Sequence, residues 1–241
     1  MELHVAKDIQ QLSGNLAAFI SQYIQEVLQK QERFTFALSG GNTPKALYAL
    51  LAKEPYVNMI EWGRVHFFWG DERAVPFEDA RNNARMAYDV LLDKVGALPE
   101  NIHVMRTDIA PEASAAEYEK TLHRYFDGQP NTFDLVLLGM GDDGHTLSLF
   151  PGLPIVHEKK AWVKAFWLEA QDMYRITLTA PVTNLAARVV FMATGSGKAL
   201  TLKAVIDGAS DPGRYPSQLI RPEAGELHWF VDEAAAEALQ V

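Results

Sequence analysis

FDLVLLGMGDDGHTLSLFPG, residues 133–152, is the stretch whose reading decides the rest of the chain. Phe133 and the run Leu135, Val136, Leu137 and Leu138 form an apolar segment too short and too unpolar for a surface helix, which predicts a buried strand of a parallel sheet. The strand stops at a turn holding Gly139, Gly141 and Gly144, with two carboxylates and a histidine inside it. In an open parallel sheet, ligands sit in the loops at the carboxyl ends of strands. A proton-transfer pair, Asp143 and His145, therefore stands where such a fold presents chemistry. A lone histidine is more often a structural hydrogen bonder, but the glycine-rich strand-end setting and a carboxylate two residues away favour a catalytic one. An imidazole can take a proton from water and return it. A neighbouring carboxylate can hold one tautomer and stabilise the imidazolium that forms.

Outward from this stretch, strands alternate with helices. The spacing of Leu12, Leu16, Phe19, Ile20, Tyr23 and Val27 predicts a helix over 8–30, followed by the strand FTFAL (34–38) and a helix carrying Ala46, Leu47, Leu50 and Leu51. RVHFFWG (64–70) reads as a strand ended by the turn DERAVP; helix 82–93, strand IHVM (102–105) and helix 111–126 come next. WVKAFW (162–167) and YRITLT (174–179) alternate like strands, RVVFMAT (188–194) is a buried strand entering a helix through GSGKA, and LHWFV (227–231) precedes a short helix beginning at Asp232. This order predicts an α/β fold around a mostly parallel sheet flanked by helices. No linker, repeat or low-complexity tract divides the 241 residues, so one domain over 1–241 is expected.

Composition narrows the function. The chain has no cysteine, which excludes disulfides, thiolate nucleophiles and Cys-based metal sites. Lys+Arg 22 against Asp+Glu 31 gives a net charge of −9, a surface that repels nucleic acid and anionic membrane over most of its area. A small anionic substrate then requires a pocket that overrides the global sign. Charges at Glu2, Lys7, Asp8, Glu26 and Lys30 break up the first thirty residues, and no run approaches a membrane span. A soluble, cytoplasmic protein is expected, working as a monomer or small homo-oligomer.

Three further loops carry candidate chemistry. In SGGNTP, Ser39 to Pro44, a strand enters, Gly40 and Gly41 let the backbone curl, and Pro44 suits the first turn of a helix. Free N–H groups at a helix start make an anion site, and Ser39, Asn42 and Thr43 add side-chain donors; the plain alternative is a tight turn with a helix cap. GSGKA (195–199) resembles half of a nucleotide-binding phosphate loop, but Met192 and Ala199 break the full pattern, leaving Lys198 as a point charge for one phosphoryl group or as an exposed helix lysine. In WGDERAVP (69–76), Asp71, Glu72 and Arg73 form either a solvated charge cluster or a site where the Arg73 guanidinium meets an anion.

Other patterns fail. GMGDDG (139–144) satisfies G-x-G-x-x-G formally, yet Asp142 and Asp143 would face the pyrophosphate and Pro151 and Gly152 end the following segment early. ALSGG (37–41) has the order of a serine-hydrolase nucleophile elbow, but Ser39 comes too early for the usual sheet. His4, His66, His103, His123, His157 and His228 stand singly, so no metal site is expected.

Taken in order, LSGGNTPKALY (38–48), FFWGDERAVP (67–76), NNARMAY (82–88), the 133–152 stretch, YRITLT (174–179) and GSGKA (195–199) resemble the 6-phosphogluconolactonase family of the glucosamine-6-phosphate isomerase/deaminase superfamily. PSQLIRP (216–222) and WFVDEAA (229–235) also fit. The resemblance implies a single, Rossmann-like lactonase domain, similar to glucosamine-6-phosphate deaminase and ribose-5-phosphate isomerase folds. It implies hydrolysis of 6-phospho-D-glucono-1,5-lactone to 6-phosphogluconate, the second step of the oxidative pentose phosphate pathway, with no metal or organic cofactor. Carried over by motif, His145 would be the general base that activates water, oriented by Asp143. Gly40, Gly41, Asn42 and Thr43, with Arg175 and Lys198, would hold the 6-phosphate, and Arg73 would contact anionic or carbonyl oxygens of the substrate. The chain departs from the family at Leu147, where alanine is common, and at Thr183-Asn184, where Leu-Asn is frequent; neither removes an ionisable group.

Two other activities fit parts of the pattern. Isomerising deamination of glucosamine-6-phosphate needs an extra carboxylate base, for which Asp71 is available, but DERAVP resembles the lactonases rather than the DEY-like segment of the deaminases. A non-catalytic sugar-phosphate binding protein would keep Lys198 and SGGNTP without needing the Asp143/His145 pair.

Overall fold

The apolar run of the 133–152 stretch becomes β5 (Leu135–Gly139), an interior strand in a computed structural model that describes residues 1–239. Five further strands complete its sheet, every neighbouring pair parallel: β1 (Glu2–Ala6), β2 (Phe34–Leu38), β3 (Val65–Trp69), β8 (Arg188–Ala193) and β9 (Glu226–Asp232), in the order β1-β9-β8-β5-β2-β3, with β8 and β2 flanking β5. A second, antiparallel sheet holds β4 (Asp71–Arg73), β6 (Val163–Leu168) and β7 (Met173–Leu178), with β7 in the middle. The helices are α1 (Ile9–Leu28), α2 (Asn42–Leu51), α3 (Tyr56–Met59), α4 (Asn83–Val90), α5 (Pro111–Phe126), α6 (Ala180–Thr183), α7 (Ala199–Ile206) and α8 (Glu233–Ala236). None of the described helices is long and apolar enough to cross a membrane.

Strand periodicity divides the core in two. On β5, Leu135 and Leu137 face one layer while Val136 and Leu138 face the other; on β8, Val190 and Met192 oppose Val189, Phe191 and Ala193 in the same way. The first layer is closed by α1, α2 and α4. In α1, Leu12, Leu16, Ile20, Ile24 and Leu28 recur at helical spacing and are buried, and the Asp8 carboxylate accepts the Gln11 N–H at 2.8 Å to cap its start. The second layer packs α5 (through Ala115, Tyr118, Leu122 and Phe126) and Ile176 and Leu178 of β7 against the sheet. Strands buried on both faces explain why the 34–38, 135–138 and 188–193 runs lack polar alternation.

The chain leaves β2 toward β3 on one side, whereas β5, β8 and β9 build outward on the other. The strand order therefore reverses between β2 and β5, the position where open α/β sheets form a crevice at the carboxyl ends of their strands. The loops after β2 and β5 are SGGNTP and GMGDDGH.

Three segments differ from the sequence expectation. DERAVP is not simply a turn: its first three residues form β4, with Glu72 opposite Ile176 and Arg73 opposite Arg175. Nor is the cluster solvated, since Asp71 and Glu72 are buried. Antiparallel pairing set by the backbone, together with internal partners for both carboxylates, overrides the low strand propensity of DER. IHVM does not form a strand; it touches β3 through a single bridge, Phe67 to Ile102, and the His103 ring is instead held by the Tyr125 hydroxyl at 2.7 Å. ELHVA carries no clear strand pattern, yet forms β1 by pairing along β9.

Candidate active site

Nine residues expected from the sequence line one cleft of about 220 Å³ at the reversal point: Ser39, Gly40, Gly41, Asn42, Thr43, Arg73, His145, Arg175 and Lys198. Asp143 stands behind His145 rather than in the wall. The loop that carries this pair is folded tightly on itself. Gly141 N–H donates to the His145 carbonyl (2.9 Å), Gly144 N–H to the Gly141 carbonyl (3.0 Å), and the Thr146 and Ser217 hydroxyls donate to the Gly139 and Gly144 carbonyls, both at 2.8 Å. A Cβ on residue 141 would lie 2.2 Å from His145 Nδ1, so only glycine lets the imidazole fold back over the loop.

Asp143 Oδ1 accepts the His145 backbone N–H at 3.0 Å and lies 2.6 Å from His145 Nδ1. Partial burial pushes the Asp143 carboxyl up, but these hydrogen bonds and the imidazole more than offset it and hold it below the ordinary carboxylate range. An ionised carboxylate at this distance selects the Nδ1–H tautomer and leaves the Nε2 lone pair basic. The Phe150 ring, 4.4 Å from the imidazole, fixes its tilt. Among the described residues, Nε2 has no hydrogen-bond partner.

Opposite the imidazole, α2 begins at Asn42 with Gly41 as its cap at φ 103°, a left-handed conformation that glycine takes without strain. The first amides of a helix have no intrahelical acceptor and point outward, which makes this end a receptor for anions. The Tyr48 hydroxyl pins the loop by accepting the Ser39 N–H (2.8 Å) and donating to the Ser39 carbonyl (2.9 Å). From the loop after β8, the Lys198 ammonium reaches in and donates to the Met140 carbonyl. Burial lowers the Lys198 pKa, against the opposing pull of Asp142 and Asp143.

Arg175 enters from β7, where it is only 3% exposed. Its Nη2 donates to Asp71 Oδ2 (2.8 Å), Nε to Ser148 Oγ (3.0 Å) and Nη1 to Gln171 Oε1 (2.9 Å), while Ser148 Oγ donates to the same Asp71 oxygen at 2.6 Å. Burial would raise the Asp71 pKa, but Arg175, Arg73 and Ser148 outweigh it and keep the carboxyl ionised. Arg73 donates through Nη1 to the Arg81 carbonyl at 2.8 Å, and its buried Nε has no partner among the described residues. Glu72, beside it, accepts the N–H groups of Arg73, Asn83 and Ala84 and thereby fixes the start of α4; burial nevertheless pushes its carboxyl up to about 7.

The sequence reading missed Ser148 and the ion pair that braces the cleft, because Asp71 and Arg175 lie 104 positions apart and meet only through the β4–β7 ladder. Ser148 carried a weak signal in its place three residues after His145. Leu147, the departure noted above, also lines the cleft and packs over Gly70, where a Cβ would lie 2.6 Å from its Cδ2.

Comparisons with known proteins identify the family. The model of a family described as glucosamine-6-phosphate isomerases/6-phosphogluconolactonase matches residues 7–229. A 6-phosphogluconolactonase of Nostoc sp. is 40% identical over 222 residues, spanning 90% of each chain. One of Synechocystis sp. is 40% identical over 225 residues, covering 92% of this chain and 91% of the relative. Among solved structures, a 6-phosphogluconolactonase from Trypanosoma cruzi superposes with a TM-score of 0.88 at 29% identity, covering 100% of this chain and 97% of the other. With a matching model across nearly its whole length, this chain belongs to the family of glucosamine-6-phosphate isomerases and 6-phosphogluconolactonases.

Proposed function

We propose that the protein hydrolyses 6-phospho-D-glucono-1,5-lactone to 6-phosphogluconate, a reaction of the pentose phosphate pathway. The observation that carries this reading is the 2.6 Å contact between Asp143 and His145, whose imidazole lines a cleft together with the start of α2 and Lys198. A sugar phosphate carries roughly −1.5 to −2 charge at neutral pH. Arg73, Arg175 and Lys198, against the single paired carboxylate Asp71, make the cleft locally positive in a chain of net charge −9.

In this reading the 6-phosphate rests on the opening amides of α2, with Ser39, Asn42, Thr43 and Lys198 around it, and the lactone carbonyl faces His145. His145 Nε2 takes a proton from a water whose oxygen attacks C1, and the Nδ1–H bond to ionised Asp143 stabilises the imidazolium that forms. The tetrahedral intermediate places negative charge on the former carbonyl oxygen, and the orphaned Nε–H of Arg73 is a donor available to it. Collapse breaks the bond from C1 to the ring oxygen, which takes the proton back from Nε2 and becomes the C5 hydroxyl. The carboxylic acid product then ionises and releases one proton. Arg175 keeps Asp71 neutralised and shapes the wall, and any polar contact it makes with substrate comes from the two guanidinium N–H groups, one on each Nη, that its three hydrogen bonds leave free.

Proton release from freshly generated lactone, corrected for spontaneous ring opening, tests the reading. Turnover well above background is expected, with phosphate-free gluconolactone a poor substrate. Hydrolysis at the background rate, or release of ammonia from glucosamine-6-phosphate in its place, would overturn it.

A further inference from the structure

Far from the cleft, at the β1 edge of the large sheet, the pairing of the first strand with the last gathers four side chains that the proposed reaction does not use. Residues two apart on a strand share a face. Glu2 and His4 of β1 and Glu226 and His228 of β9 therefore project from one side, and Glu2 stands in register with His228. Three of their atoms converge. His4 Nε2 is 3.2 Å from His228 Nδ1, and Glu2 Oε2 is 3.5 Å from that Nδ1 and 3.8 Å from His4 Nε2.

The fourth side chain sets the chemistry of the other three. Glu226 Oε2 lies 3.2 Å from His228 Nε2 and is itself held by Arg188 Nε at 2.5 Å. A carboxylate there draws the His228 proton to Nε2, so Nδ1 offers a lone pair to the point where the other two atoms meet. A neutral His4 can donate its one N–H to that Nδ1, and a cation taking the place of this proton would meet both imidazole nitrogens and the Glu2 oxygen at once. The circle through the three atoms has a radius of about 2.0 Å, which is the Zn–N and Zn–O bond length. An ion at this distance sits in or just above their plane with a further position open to water.

We propose that Glu2, His4 and His228 form a binding site for a divalent first-row cation of the Zn²⁺ type, with Glu226 as the outer carboxylate that orients His228. Two imidazoles and one carboxylate suit a borderline ion, whereas Mg²⁺ and Ca²⁺ prefer oxygen alone. The site is accessible, because Glu2 is exposed and His4 only partly covered, while His228 forms a fixed floor at 3% exposure. It joins β1, an edge strand with β9 as its one neighbour in the sheet, to the body of the molecule, so the ion acts as a clasp on that strand. The sequence reading treated His4 and His228 as isolated; they are 224 positions apart, and the β1–β9 register brings them together.

The test is titration of the full-length, chelator-stripped protein with Zn²⁺, and separately with Co²⁺ as a spectroscopic probe. One ion per chain is expected, with the strong visible bands of low-coordinate Co²⁺ and a Tm raised by about 5–10 °C once free Zn²⁺ reaches a hundredfold excess over Kd. His4→Ala and Glu2→Gln should weaken binding tenfold or more and shrink the Tm gain while leaving lactone hydrolysis unchanged; His145→Ala should bind as the parent does. Absence of stoichiometric binding, undiminished affinity in His4→Ala, or loss of the ion in His145→Ala would each overturn the site.

Discussion

Asp143 Oδ1 takes both N–H groups of a single residue, the backbone amide and the ring Nδ1 of His145, so one carboxylate oxygen fixes the position and the tautomer of the proposed base together. Asp143→Asn keeps the shape but presents an uncharged amide to Nδ1, and should lower kcat by roughly 10²–10⁴ with little change in KM in steady-state assays. Gly141→Ala should cost at least about tenfold in kcat, because its Cβ would stand 2.2 Å from Nδ1 and must displace the ring. An unchanged kcat would mean that this ring position does not matter. Lys198→Ala should act differently, raising KM by roughly 10–100-fold with kcat nearly preserved, since a contact to a remote phosphate is equal in ground and transition states. These residues were legible in the sequence because each belongs to a short loop that follows a buried strand. Asp71, Ser148 and the orphaned Arg73 Nε were not, because their roles arise from contacts between loops far apart in the chain.

The small antiparallel sheet turns three charged residues into a buried wall. Its Arg175–Asp71 pair is nearly solvent-free, so Arg175→Leu leaves the buried Asp71 carboxylate without its ion-pair partner and should destabilise the fold by about 3 kcal/mol in urea unfolding. Glu72 of β4 gives the element a pH signature. Its folded carboxyl sits at about 7, above the ordinary value of 4.5, so the folded state holds a proton that the unfolded chain has released. That contribution to stability is fully present below pH 4.5 and disappears as pH rises to about 7, with a slope of up to about 1.4 kcal/mol per pH unit. Urea midpoints of the parent and Glu72→Gln between pH 5 and 8 check this: the parent should lose stability across that window, and the variant, with no proton to release, should lose less. Parallel slopes would contradict it. Strands with largely apolar runs, such as 34–38 and 135–138, and helices with clear spacing, such as α1 and α5, were readable from sequence. β1 and β4 were not, because their partner strands rather than their side chains define them, and IHVM shows the reverse, a strand-like tetrapeptide held by one bridge and a histidine ring.

For the whole molecule, the decisive feature is that the loops after β2, β5 and β8 meet where the strand order reverses, which concentrates positive charge and one imidazole on a surface otherwise biased toward repelling anions. Binding of 6-phosphogluconate to this point should raise the Tm by mass action, and the rise should fall with ionic strength and nearly vanish in Lys198→Ala. His145→Ala separates the two halves of the account, anchoring and chemistry, in one preparation. Its rate on fresh phosphogluconolactone should drop by at least about 10²-fold toward the spontaneous background, while 6-phosphogluconate still raises its Tm as it does in the parent. A variant that hydrolyses the lactone at the parental rate would contradict the proposed role of His145.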